Sequence, residues 1–192
     1  QVFENGVGIK DCLQGLRSHW DRALADADKF NATSDGALRR GVGVAGMWYG
    51  CGNTSLPNPS TIKVAIRSDG KVVLFQGAVD VGQGANTVIS QICADAAGLD
   101  IAGFELVYGD TDLTADAGKT SASRQTFISG KASYLAGVDI RKKILRMVNA
   151  GEDAVLAIQN GKIVARGNAE KTEIDLAALP VDEDGFVFTG TG

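Results

Sequence analysis

The sequence predicts an α+β fold, a mixed β-sheet packed against two long helices, and three observations lead there. Segments with apolar residues at steps of three and four stand among short apolar strands. Two strand pairs carry hairpin turns, Ser68-Asp69-Gly70 and Asn160-Gly161. The strand pairs do not alternate with helices as repeated βαβ units would. At 192 residues the chain is long enough to bury a core as a single lobe, read as a leading helix and link over 1–39 and an α+β core over 40–192. Its 44% apolar and 22% charged residues exclude a disordered segment, and a net charge of -4 gives no electrostatic pull toward nucleic acid or an anionic membrane surface.

Taken in order, residues 9–29 place Ile9, Leu13, Leu16, Trp20, Leu24 and Ala27 on one face of a helix. His19, the one histidine, lies on it beside Trp20 without a second histidine or a carboxylate pair at ligand spacing, and reads as structural or solvent-facing. A polar link follows. Residues 41–50, "GVGVAGMWYG", and 60–80 read as three strands, with a loop dense in turn formers between the first and second. Residues 85–98 bring Val88, Ile89, Ile92, Cys93 and Ala96 to helical spacing and end on a glycine cap. "FELVYGD" is a short strand. A second long helix runs from about Gln125 to Ala150, with Phe127, Tyr134, Leu135, Val138, Ile144 and Met147 as its apolar residues and Arg141, Lys142, Lys143 and Arg146 complementing its C-terminal dipole. "AVLAIQNGKIVAR" forms a hairpin, and "GFVFT" a last strand after a polar stretch.

Three widely spaced cysteines, Cys12, Cys51 and Cys93, without any CxxC, fit reduced, mostly buried thiols rather than a disulfide framework or a zinc or iron-sulfur site. No apolar run approaches the roughly 20 residues of a membrane span. No basic-then-apolar signal segment opens the sequence, which leans toward the cytoplasm, with the periplasm as the alternative through an export signal on a partner subunit or a lost N-terminus. The chain starts without methionine and stops on "FTGTG", and is expected to be a piece of a longer protein.

Two segments have the make-up of a ligand site. The strand ending near Val79 delivers Gly82-Gln83-Gly84 to the start of a helix, where glycines let the backbone turn sharply or press against a ligand. Gln83 adds a neutral amide that can donate to an oxygen without bringing charge. The polar loop over 109–124 is long for an ordinary connection. It supplies hydroxyls, Lys119 and Arg124 to the start of the next helix. Two helix N-termini of this kind suit a large polyanionic ligand, a phosphorylated cofactor, gripped from two sides; plain helix capping by Ser and Thr is the alternative. "GKTS" is not a P-loop tail, because Leu113 stands where that motif needs glycine. Asp110, Asp112 and Asp116 fail the EF-hand pattern and read as turn residues. One histidine leaves no triad.

The pair "VDVGQGANTVISQICADAAGL" and "GDTDLTADAGKTSASRQTFISGKA", in this order, resembles the molybdopterin-binding subunit of the xanthine dehydrogenase and aldehyde oxidase family, the molybdenum hydroxylases. The likeness covers most of the chain and weakens after about residue 150. It implies one lobe of a molybdenum cofactor-binding domain. Gln83 is then a catalytic residue beside the molybdenum, hydrogen-bonded to its apical oxo ligand. Gly82 and Gly84 give backbone access, and Ala122, Ser123, Arg124 and Gln125 lie against the pterin and its phosphate or cytosine dinucleotide extension. The metal hangs on the pterin dithiolene, so no protein metal ligand is expected. The resemblance implies hydroxylation of an aldehyde or N-heterocycle with oxygen from water, and partners carrying the remaining lobe, iron-sulfur clusters and FAD. The family's "GxGE" segment with its catalytic glutamate has no counterpart before Gly192, so the chain alone is expected to be inactive. A non-catalytic scaffold, and a nucleotide-binding protein using Gly118-Lys119-Thr120, remain as alternatives.

Overall fold

The computed structural model describes residues 8–47, 49–52, 56–167 and 171–192. The chain divides into two compact units, residues 1–49 and 50–192.

The first unit holds α1 (Ile9–Gly15) and α2 (Arg17–Thr33), which meet at Leu16. The chain after α2 is pinned back on it. The Asn31 side chain exchanges two hydrogen bonds of 2.8 Å with the Arg40 backbone, and the Arg40 guanidinium lies 4.0 Å from the centre of the Phe30 ring. Leu13, Leu16 and Trp20 line an apolar groove with Val42 and Val44, and His19 is at its edge. The strand expected over 41–50 is absent among its described residues; Trp48 lies outside them. Gly41, Gly43 and Gly46 give that stretch an alternating look but no side chains to pack on a neighbour, and no neighbouring strand pairs with it.

In the second unit a four-stranded sheet has the order β3-β2-β1-β7, built from β1 (Ile62–Arg67), β2 (Val72–Gln76), β3 (Phe104–Tyr108) and β7 (Phe186–Thr191). β1 and β2 form the expected antiparallel hairpin, closed by Gly70 at φ +89° and by the Asp69 carboxylate accepting from the Lys71 N–H. β2 and β3 are parallel and joined through α3 (Ala85–Ala97), the single βαβ crossover in an otherwise antiparallel arrangement. α4 (Gln125–Met147) packs on α3, β1 and β7. A second sheet is a meander of β4 (Val155–Gln159), β5 (Lys162–Arg166) and β6 (Lys171–Asp175), its first turn made by Asn160 and Gly161 at φ +51° and +71°. The mixed sheet and its covering helices bear out the α+β prediction.

One core joins the two sheets through Ile62, Val64, Leu74, Ile89, Ile140, Ile144, Leu156, Ile163 and Leu176, all 5% exposed or less. α4 enters it by an unexpected face. Phe127, Tyr134, Leu135 and Met147, read as its apolar residues, are exposed, and the buried stripe is Ser129, Gly130, Ser133, Ala136, Gly137, Ile140 and Ile144. Small residues let α4 approach β7 closely: a Cβ on Gly190 would stand 2.5 Å from the Ala136 carbonyl oxygen and 2.8 Å from Ile140. Two of the basic residues serve neighbours rather than their own helix end. Arg141 donates to the Ala97 carbonyl at the end of α3 and to the carbonyls of Glu152 and Ala154, and Lys143 donates to Thr189 of β7.

Candidate functional site

The Gly-Gln-Gly turn is set by what precedes it. β2 ends on Gln76, fully buried, whose Nε2 donates to the Asn86 side chain in the first turn of α3. Gln76 Oε1 is the one buried side-chain polar atom among the described residues without a hydrogen-bond partner. Gly77 follows, and a Cβ there would strike the Ala115 carbonyl oxygen, so the long loop lies directly on this turn. Asp80 then gathers three backbone donors: Oδ1 accepts from the N–H groups of Gly82 at 2.8 Å and Gly84 at 3.2 Å, and Oδ2 from Asn86 at 3.0 Å. These N–H groups, that of Asn86 foremost and then that of Gly82, hold the Asp80 carboxyl below the usual aspartate range.

Gly82 and Gly84 sit at φ +102° and +83°, a conformation costly for any residue with a side chain, and no atom lies within 4 Å of where a Cβ would stand on either. Gln83 is exposed. Its Oε1 accepts from the Val81 N–H at 2.7 Å, and its Nε2 makes a long 3.4 Å contact with the Val79 carbonyl.

The second segment is stitched to the first at one point, where the Thr120 hydroxyl donates to the Val79 carbonyl at 2.7 Å. Beyond it, Ala122 and Ser123 are consecutive non-glycine residues at φ +50° and +54°. Each such residue costs roughly 1–2 kcal/mol, strain of a kind that clusters at functional sites. The Ala122 carbonyl accepts from the Gly52 N–H at 2.6 Å, while the Ser123 side chain is exposed. α4 starts immediately after, with no side-chain cap, so its first-turn N–H groups lack an intrahelical acceptor.

Arg124 and Gln125, expected against a pterin, spend their side chains inside the fold. Arg124 is 2% exposed and donates to Asn58 Oδ1 and to the carbonyls of Pro59, Ala117 and Lys119. Gln125 donates to the Lys119 carbonyl and Thr120 and accepts from the Ser129 hydroxyl, which also accepts from Ser60 at 3.0 Å. Their inward bonds shape the loop and leave Ser123 at its outer edge. The same bonds oppose a nucleotide reading of Gly118-Lys119-Thr120, because a P-loop needs helix immediately after its lysine and α4 begins only at Gln125.

Sequence reasoning missed Asp80 and Asn58. Asp80 had a legible signal: an aspartate two and four residues ahead of two glycines at a helix start offers a side-chain acceptor to N–H groups that lack one. Asn58, 66 residues from Arg124, had none. No group of three His, Cys, Asp or Glu able to hold a metal occurs among the described residues.

An open glycine turn carrying a neutral amide, latched to an uncapped helix start, is suited to a bulky anionic group. The fold is shared with solved oxidoreductase chains. The chain is similar to the aldehyde oxidoreductase of Desulfovibrio desulfuricans, with a TM-score of 0.55 and 21% identity over 97% of this chain and 18% of that one. It is also similar to quinoline 2-oxidoreductase of Pseudomonas putida, with a TM-score of 0.52 and 24% identity over 69% and 18% of the two chains. The model of the molybdopterin cofactor-binding domain family matches residues 15–189, and the chain belongs to that family. Among curated relatives, the putative xanthine dehydrogenase molybdenum-binding subunit of Escherichia coli is 30% identical over 187 residues, 92% of this chain. The chain spans about a quarter of that relative's length, 24%.

Proposed function

We propose that this domain holds the molybdenum-pterin cofactor of a hydroxylase acting on an aldehyde or N-heterocycle. Gln83 faces the metal end, and Ser123 with the first-turn N–H groups of α4 receives the pterin and its phosphate. The observation that carries the reading is the pairing of these two loops at Val79 and Thr120. When bound, the cofactor supplies redox chemistry in which water is the oxygen source. The chain's own part is to bind and orient it. Gly82 and Gly84 keep side chains out of the approach, Gln83 presents an uncharged donor, and Arg124 and Gln125 hold the strained Ala122-Ser123 turn from within.

The domain works within a larger enzyme, beside the remaining molybdopterin lobe and with partners carrying iron-sulfur clusters and FAD; by itself it does not turn over. The homology to a molybdenum-binding subunit supports that assembly. Among the described residues no helix is long and apolar enough to cross a membrane, and Cys12, Cys51 and Cys93 are free, which supports a reducing, cytoplasmic setting.

The test is molybdenum and released pterin per chain in the full-length protein purified with its partners, for wild type and Ser123→Trp. Near-stoichiometric metal in the wild type and loss in the variant is expected. An intact, active wild-type complex without metal or pterin overturns the reading in favour of a scaffold.

A further inference from the structure

The Gln83 amide has a defined polarity. The Val81 N–H can only donate, so the end of the amide that meets it at 2.7 Å is the oxygen, and the NH2 end is turned away. Its one internal contact, to the Val79 carbonyl, is 3.4 Å long, and that carbonyl has a far better partner in Thr120 at 2.7 Å. Gln83 is therefore loaded as a donor. What keeps it so is not in Gln83 itself, since it stands between two glycines whose backbones have wide alternatives.

We propose that Asp80 is the positioning residue for Gln83: by collecting the Gly82, Gly84 and Asn86 N–H groups on one carboxylate, it fixes the left-handed turn that traps Gln83 Oε1 on Val81 and leaves Nε2 to donate to the ligand. This rests on the reading of Gln83 as facing the metal end of the cofactor. The anchorage runs to the core. Asn86 is held by Asp80 at its backbone and by fully buried Gln76 at its side chain, so a single carboxylate connects the exposed turn to the end of β2. The arrangement also decides what this helix start will not do. Asp80 already places a negative charge on the N–H groups of α3, and a phosphate approaching them would meet like charge. The turn offers a neutral donor, and phosphate is left to α4, whose start carries no acidic residue in its first turn and no side-chain cap.

The experiment uses the full-length protein with its partners and compares wild type, Asp80→Asn and Gln83→Ala. Three properties are read: molybdenum per chain, the electron paramagnetic resonance signal of the metal, and hydrogen exchange of the backbone over 79–88. Asparagine keeps one acceptor oxygen but turns an NH2 toward a backbone donor. With metal retained, exchange over 79–88 rises about tenfold. The resonance signal moves in the same direction as in Gln83→Ala. The kcat falls on the order of tenfold to a hundredfold while KM stays within about twofold, the mark of lost orientation rather than lost binding. If Gln83→Ala moves the signal and Asp80→Asn leaves both signal and exchange at wild-type values, Asp80 is not the positioning residue and the cofactor reading stands. If Gln83→Ala, fully metallated, leaves the signal unmoved, the placement of Gln83 itself falls and takes the proposal with it. Should Asp80→Asn hold no molybdenum, Asp80→Glu is read instead. Recovery of metal with wild-type exchange supports the carboxylate requirement, whereas metal loss in both variants with unchanged exchange overturns it.

Discussion

Cys93 is a strongly perturbed side chain. Burial in the core against α4 pushes its thiol up to about 12, and a hydrogen bond with Ser133 only partly opposes the rise. At a fixed pH near neutrality it then carries about a thousandfold less thiolate than an ordinary thiol. Iodoacetamide should leave Cys93 unmodified in the native full-length protein through pH 9 and label it fully once the protein is unfolded; mass-spectrometric mapping at several pH values checks this. The linkage has one sign. Stability from keeping this thiol protonated is complete below the unfolded pKa and is lost as the pH climbs from there toward about 12. Arg124 carries the opposite lesson about a buried ionisable group. Among the described residues no carboxylate pairs with it, and neutral oxygens of Asn58, Pro59, Ala117 and Lys119 take its N–H groups instead. Its type and position in the sequence suggested a phosphate ligand, and only the three-dimensional paths of residues 58–59 and 117–119 reveal the acceptors. The Gly-Gln-Gly turn itself was legible, because two glycines at the end of a strand mark a backbone that needs positive φ, which Gly82 and Gly84 adopt. The role of Asp80 lay three residues away and was passed over as a strand-end residue.

Helix α4 explains how an element can be placed correctly and oriented wrongly. Its span was readable from spacing, and the turns at Ser68-Asp69-Gly70 and Asn160-Gly161 fixed two hairpins from sequence alone. Its buried face was not, because large apolar residues mark a core only where the neighbours leave room for them. Here α3 and β7 approach so closely that glycine, alanine and serine fill the contact, and Phe127, at 79% exposure, points away. β6 escaped notice for a related reason: as a sheet edge it carries Lys171 and Glu173, paired with each other, in place of an apolar alternation. The close approach predicts a penalty at Gly137. A Cβ there would stand 2.7 Å from the Cys93 carbonyl oxygen, 2.8 Å from Ala96 Cβ and 3.1 Å from the Ala97 nitrogen. An exposed helical glycine gains up to about 1 kcal/mol on replacement by alanine, whereas overpacking costs roughly 1–3 kcal/mol. Gly137→Ala should therefore lower stability by about 1 kcal/mol net. Gly15→Ala, with open space at its Cβ, should not lower it. Urea unfolding of the two variants with matched slopes decides the matter.

The architecture places two loops that are some 40 residues apart in sequence on one end of the same core. β2 and α3 deliver the Gly-Gln-Gly turn, α4 begins at the other segment, and the Thr120 hydroxyl on the Val79 carbonyl ties them. Gly77 adds a steric tie, since the Ala115 carbonyl occupies the space a side chain would need. These ties differ in what they serve. The close packing at Gly77 holds the loop to the core, whereas the Thr120 bond ties the loop to the Gly-Gln-Gly turn and so sets the spacing of the two segments proposed to hold the cofactor. Thr120→Val keeps the shape and removes the donor, and the Val79 carbonyl, being exposed, recovers a water, so the variant should fold with a Tm within about 2 °C of wild type. A cofactor gripped from both sides feels the change differently, because it must order the two loops itself on binding. With roughly 1 kcal/mol of pre-organisation lost, cofactor retention should fall about fivefold. Molybdenum per chain after prolonged dialysis of the full-length complex measures this directly. Metal retained at the wild-type level in a well-folded Thr120→Val would mean that each segment holds the cofactor without help from the other.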